Sequence, residues 1–149
     1  MNECEELEDW LDGEGVEIFQ QRLTFSNPET KSAAVELATG EYGIFYDPER
    51  VDTGAERYAV MLHEAGHYAT GCTHAVGSPL DLVARHEYRA DKWAVRRFCR
   101  THDIPAALRA GYTDPHDLAD MWGITEAFVI SAVGFAMTGV FTRPAVKTA

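Results

Sequence analysis

The chain has 149 residues, an apolar fraction of 46%, a charged fraction of 25% and a formal net charge of −11. That size suits one globular domain with a real core. The surplus of acid argues against nucleic acid as a direct ligand, because phosphate contacts come from Lys and Arg.

The acid is concentrated at the start of the chain. Glu3, Glu5, Glu6, Glu8, Asp9, Asp12, Glu14 and Glu17 all precede the first basic residue, Arg22. This reads first as a solvated helix face and second as a surface that attracts a basic partner. Residues 2–12 form a short acidic helix with Leu7, Trp10 and Leu11 on one side, ended by Gly13 and Gly15. Residues 16–23 alternate as a strand does. Residues 33–38 and 42–46 pair as a hairpin around Thr39-Gly40-Glu41, and Asp47-Pro48 stops the second strand. A helix over 55–71 follows, capped by Gly71. Residues 73–80 are a loop, and Asp81 caps a helix over 82–102. A short helix begins at Asp103-Ile104-Pro105. Asp114-Pro115 opens a helix to Trp122, Gly123 breaks it, and Thr125 caps a last helix to about residue 138.

These elements give an α+β fold, with a small antiparallel sheet packed on the helix over 55–71 and a mainly helical C-terminal half. One domain over 1–149 is expected. It comprises an acidic N-terminal helix (1–15), a core (16–102), a helical, helix-turn-helix-like region (103–139) and a tail (140–149). Cys4, Cys72 and Cys99 have no metal-binding spacing among themselves. An odd number of cysteines without a signal-peptide pattern is expected of reduced thiols in the cytoplasm. The segment 127–141 is the most apolar, but Ser131, Gly134, Thr138 and Gly139 interrupt it. It is shorter than the roughly 20 residues of a membrane span, so a buried helix is expected and no membrane partner.

The helix over 55–71 carries His63-Glu64-Ala65-Gly66-His67, an H-E-x-x-H motif. Residues four apart on a helix share a face and lie about 6 Å apart along the axis. Two imidazoles so placed can bind one Zn²⁺. Glu87 follows His67 after 19 intervening residues, and Asp91 lies one turn beyond Glu87. Glu87 is the candidate third ligand. Asp91 is the candidate acceptor for a histidine N–H, which fixes the tautomer. Glu64 is the candidate general base for metal-assisted hydrolysis, with one coordination position left for water. The spacing is similar to that of the thermolysin-like gluzincins. His86, Tyr88, His74, Arg85 and Tyr58 are the nearby donors for a developing oxyanion, each more readily explained as a surface or packing residue. A strand ahead of such a helix can offer its edge to an extended substrate; residues 42–46 are the candidate edge, with a central core strand as the equal alternative. Mn²⁺ or Fe²⁺ also suits a His₂Glu donor set.

The chain resembles the ImmA/IrrE family of zinc metallopeptidases over roughly residues 15 to 138. The residues that carry the resemblance are Gly43-Ile44-Phe45-Tyr46-Asp47-Pro48, Met61-Leu62-His63-Glu64-Ala65-Gly66-His67-Tyr68, Glu87-Tyr88-Arg89-Ala90-Asp91-Lys92-Trp93-Ala94, Ile104-Pro105, and Asp117 to Thr125. Arg89 stands where the family has a second acid, and Phe98-Cys99-Arg100 replaces the usual Leu-Met-Pro. The resemblance implies a cytosolic zinc endopeptidase whose protein substrate is a helix-turn-helix transcriptional repressor. Two other readings remain: a catalytically silent, partner-binding regulator of the same fold, and a DNA-binding regulator built on residues 114–138. The second is disfavoured because that stretch has Asp114, Asp117, Asp120 and Glu126 and no Lys or Arg.

Overall fold

The computed structural model describes residues 1–24, 27–72 and 78–138. Helix α1 (Glu3–Gly13) opens on a capping box. The Asn2 side chain accepts the Glu5 N–H at 2.8 Å, and the Glu5 carboxylate accepts the Asn2 N–H at 3.3 Å. Leu7 and Leu11 form its buried stripe. The acidic N-terminus is not wholly a solvated face. Arg57 donates to both Glu8 carboxylate oxygens at 2.7 and 2.9 Å, and the Tyr58 hydroxyl donates to Glu3 at 2.9 Å. These bonds dock α1 on helix α2 (Gly54–Thr70).

Strands β1 (Val16–Gln20), β2 (Ser32–Glu36) and β3 (Tyr42–Tyr46) form one sheet in the order β1-β3-β2. The expected hairpin is present as the antiparallel β2–β3 pair. Strand β1 joins β3 in parallel, so the sheet is mixed and not antiparallel throughout. The register explains why. Gln20 and Ser32 both lie beside Tyr46. The chain therefore reverses once between β1 and β2 and again between β2 and β3, which leaves β1 and β3 running the same way. The candidate edge at residues 42–46 is corrected by the same fact: β3 is the central strand, with both sides paired. The antiparallel edge belongs to β2. The Asp47 N–H donates to the Lys31 carbonyl and the Leu37 N–H to the Glu41 carbonyl, so odd-numbered residues turn their backbone groups toward β3. By the strand period of two, Ser32, Ala34 and Glu36 turn theirs outward. Among the described residues no strand pairs with that outer side.

Strand β1 is shorter than its pattern suggests because the chain wraps around Asp47. The Gln21 N–H reaches the Tyr46 carbonyl at 3.0 Å, and the Leu23 N–H reaches Asp47 Oδ2 at 2.9 Å. Asp47 is fully buried. It also accepts the Glu49 N–H at 3.0 Å and pairs with Arg22 and Arg50 at 3.2 and 3.5 Å. Burial alone would raise its pKa, but the two N–H groups and Arg22 outweigh it and hold the carboxyl below its usual value. A depressed folded-state pKa adds stability that is present above the unfolded value near 4 and is lost as pH falls through the lower, folded value. Asp47→Ala is therefore expected to lower Tm by several degrees at neutral pH. Thermal melts should show that gap closing as pH falls through the depressed folded-state value, whereas a constant gap would assign the loss to packing alone.

Helix α3 (Leu80–Phe98) starts and ends earlier than the sequence pattern suggests. The Pro79 carbonyl accepts the first helical N–H bonds, from Leu82 at 3.0 Å and Val83 at 3.1 Å, so Asp81 sits in the first turn and is not the cap. The chain gathers into two compact units, Met1–Ala94 and Val95–Ala149, with the division inside α3. The first holds α1, the sheet, α2 and most of α3. The second holds α4 (Ile104–Arg109), α5 (Pro115–Trp122) and α6 (Glu126–Met137). Its core is Val95, Ile104 and Ala132 with Leu108, Trp122 and Phe128. Phe98 lies edge-on to Trp122 and Phe128, with ring centroids 5.7 and 5.1 Å away. Helices α5 and α6 change direction by 108° across Gly123, as in a helix-turn-helix. No single described helix is long and apolar enough to cross a membrane. The three cysteines form no disulfide.

Candidate metal centre

Three side chains converge in the first unit: His63 and His67 from α2, and Glu87 from α3. Gly66 makes the convergence possible. A Cβ built there would lie 2.3 Å from the Ala90 carbonyl oxygen and 2.9 Å from its carbon. Only a residue without a side chain lets α3 approach α2 this closely. Ala90 is three residues after Glu87 and one before Asp91, so the contact delivers both acids to the histidines.

The geometry is tight. Glu87 Oε2 lies 2.9 Å from His63 Nε2, and Glu87 Oε1 lies 3.1 Å from His67 Nε2. The two Nε2 atoms are 3.2 Å apart. The opposite ring nitrogens are both engaged. His63 Nδ1 is 2.7 Å from Asp91 Oδ1, and His67 Nδ1 is 2.8 Å from the Cys72 carbonyl oxygen. A carboxylate and a carbonyl only accept, so each Nδ1 carries the hydrogen. In the neutral rings both Nε2 atoms then present lone pairs to each other and to a carboxylate. Two nitrogens and two carboxylate oxygens so placed call for a cation, and the cluster can hold a metal ion.

The electrostatics of the cluster point the same way. Burial resists protonation of His63, but Asp91 and Glu87 outweigh it and push its pKa up to about 10. His67 moves the same way: burial opposes, and Glu87 with the Cys72 carbonyl prevails. Hydrogen bonds from His63 and His67 hold the Glu87 carboxyl well below the usual carboxylate range, against a smaller effect of burial. A site that draws protons onto its imidazoles is one that stabilises positive charge.

Glu64 lies beside the cluster with 4% of its surface exposed. Its Oε1 is 4.0 Å from His63 Nε2 and accepts the Ser32 hydroxyl at 3.0 Å. Burial raises its pKa, while His63, His67 and Ser32 pull the other way without reversing the shift. A carboxylate of increased basicity next to a cation site suits general-base work.

All five residues expected from the sequence, His63, Glu64, His67, Glu87 and Asp91, are brought together. The candidate donors are not resolved into a constellation. Tyr58 donates to Glu3, Arg85 pairs with Asp81 at 3.8 Å, Tyr88 is 52% exposed, His86 is half-buried, and His74 lies outside the described residues. Three contributors were not foreseen. Ser32 comes from a strand whose side-chain direction depends on register. Gly66 was visible as a glycine inside a helix, a costly choice that signals close packing. The third is the Cys72 carbonyl. Gly71 takes the left-handed conformation at φ 65° and turns the chain so that the Cys72 N–H bonds the His67 carbonyl at 3.1 Å. The helix cap thus also supplies the oxygen that fixes the His67 ring.

The chain matches no family model, no curated protein and no solved structure.

Proposed function

We propose that the chain is a zinc-dependent endopeptidase in which His63, His67 and Glu87 hold the metal and Glu64 is the general base. The observation that carries this reading is the convergence of two imidazole nitrogens and one carboxylate, His63, His67 and Glu87. Tetrahedral zinc, with bonds of about 2.0–2.1 Å, sets neighbouring ligand atoms about 3.3 Å apart. The two Nε2 atoms are 3.2 Å apart, close to that spacing, and Glu87 reaches them through different oxygens, Oε2 2.9 Å from His63 and Oε1 3.1 Å from His67, while each Nδ1 is engaged elsewhere and leaves Nε2 for coordination. Zinc bound there supplies a Lewis acid that acidifies water and polarises a carbonyl. Glu64 takes a proton from the attacking water and passes it to the leaving amine. Asp91 and the Cys72 carbonyl hold the imidazoles in place through the cycle.

The outward backbone groups of Ser32, Ala34 and Glu36 lie on the same strand as the Glu64 contact. They offer an extended peptide the ladder it needs to lie beside the base. The resemblance to the ImmA/IrrE family suggests that the substrate is a helix-turn-helix transcriptional repressor. A DNA-binding role finds no support in the bend between α5 and α6, because residues 114–138 hold no Lys or Arg. Elemental analysis of the purified chain should find about one zinc per chain, and co-expression with a repressor encoded nearby should yield two defined fragments. Absence of any bound metal after zinc is added would remove the basis of the proposal.

A further inference from the structure

We infer that Ser32 is a positioning residue for Glu64, tying the general base to the strand edge on which the substrate lies; this rests on the hydrolase reading above. Glu64 leaves α2 on a side chain with three rotatable bonds, and nothing in helix geometry alone aims its carboxylate at the metal site. Ser32 supplies the aim. Its hydroxyl donates to Oε1 at 3.0 Å, and that same oxygen faces the ligand pair, 4.0 Å from His63 Nε2. A carboxylate oxygen has two lone-pair directions. Ser32 takes one, which leaves the other to receive a proton from water.

The serine is itself held in place. It lies opposite Tyr46 in the β2–β3 ladder, and Tyr46 is only 3% exposed. Its own N–H and C=O point to the outer side of β2, where no described strand pairs, by the register argued above. A peptide that adds to this edge therefore hydrogen-bonds the residue that holds the base. Docking and base alignment share one residue, so a peptide that pairs in register meets a carboxylate already oriented. The amide to be cut is then fixed in position relative to Oε1.

A hydroxyl that only satisfied a buried carboxylate would affect folding and nothing more. The near-isosteric pair Ser32→Thr and Ser32→Val separates the two roles, since both side chains suit a strand and only one keeps the donor. With zinc content equal, kcat is expected to be about tenfold lower in Ser32→Val than in Ser32→Thr, with KM within about twofold. Ser32→Ala should match the valine variant. Calorimetric binding of a peptidyl hydroxamate, which must give its proton to Glu64, should weaken in parallel with kcat. Equal kcat in the threonine and valine variants would overturn the inference, as would a fall in kcat that tracks lost zinc. A wild-type protein that neither hydrolyses peptides nor binds the hydroxamate would instead overturn the hydrolase reading, and the inference with it.

Discussion

Glu64→Gln is expected to retain about one zinc per chain and to lose hydrolysis by about 10²–10⁴-fold in kcat. The amide keeps the shape of the carboxylate and can still accept the Ser32 hydroxyl, so neither the fold nor the His63–Glu87–His67 cluster has reason to change. What is lost is the ability to take a proton from water. Glu87→Ala makes the opposite change. It removes the atoms at 2.9 and 3.1 Å from the two imidazoles, and with them the negative charge that completes the donor set. That variant should lose both metal and activity, while Glu64→Gln should lose activity alone and still capture uncleaved substrate. Elemental analysis and a cleavage assay on the same preparations distinguish them. Cleavage at the wild-type rate by Glu64→Gln would show that another group is the base; loss of zinc in that variant would make Glu64 a ligand.

The contrast between these two acids was legible in the sequence because helix periodicity is rigid. His63 and His67 share a face by arithmetic, and Glu87 with Asp91 repeats that relation on a second helix. Helix ends were also readable where a special residue enforces them, as Gly71 and Gly123 do with φ of 65° each. What could not be read was register and pairing partner. Residues 42–46 were recognisable as a strand, yet whether that strand is central or at an edge depends on β1 crossing to its far side. Nothing local to Val16–Gln20 encodes that choice. The crossing is secured by Asp47, which looks like a strand terminator beside Pro48 but is a buried acceptor for Leu23, Glu49, Arg22 and Arg50. Ser32 was missed for the same reason. Its role exists only once the ladder places it across from Tyr46 and under Glu64. The pairing of Glu3 and Glu8 is invisible locally for a like reason, because their partners, Tyr58 and Arg57, lie far along the chain.

Gly66→Ala should destabilise the protein and release zinc, although alanine is intrinsically the better helix former by about 1 kcal/mol. Two effects oppose each other, and their sizes decide the sign. The added methyl would sit 2.3 Å from the Ala90 carbonyl oxygen, 2.9 Å from its carbon and 3.0 Å from its Cα. All three are backbone atoms, so no side-chain rotation relieves the contact, and α2 and α3 must separate by about 1 Å to restore van der Waals distance. Overpacking of this kind costs about 1–3 kcal/mol, enough to outweigh the propensity gain. The functional cost is larger than the structural one. Glu87 and Asp91 flank Ala90 on α3, so the same displacement carries a ligand and a supporting acid away from His63 and His67. Metal bonds tolerate only about 0.2 Å, and a zinc affinity at least about tenfold weaker is expected, measured by chelator competition alongside a thermal melt. Ala90→Gly should not rescue the variant, because the methyl meets the backbone of residue 90 and not its Cβ. A more stable Gly66→Ala protein with unchanged zinc affinity would mean that the helices are free to adjust. The close approach at Gly66 would then not be what sets the ligand distances.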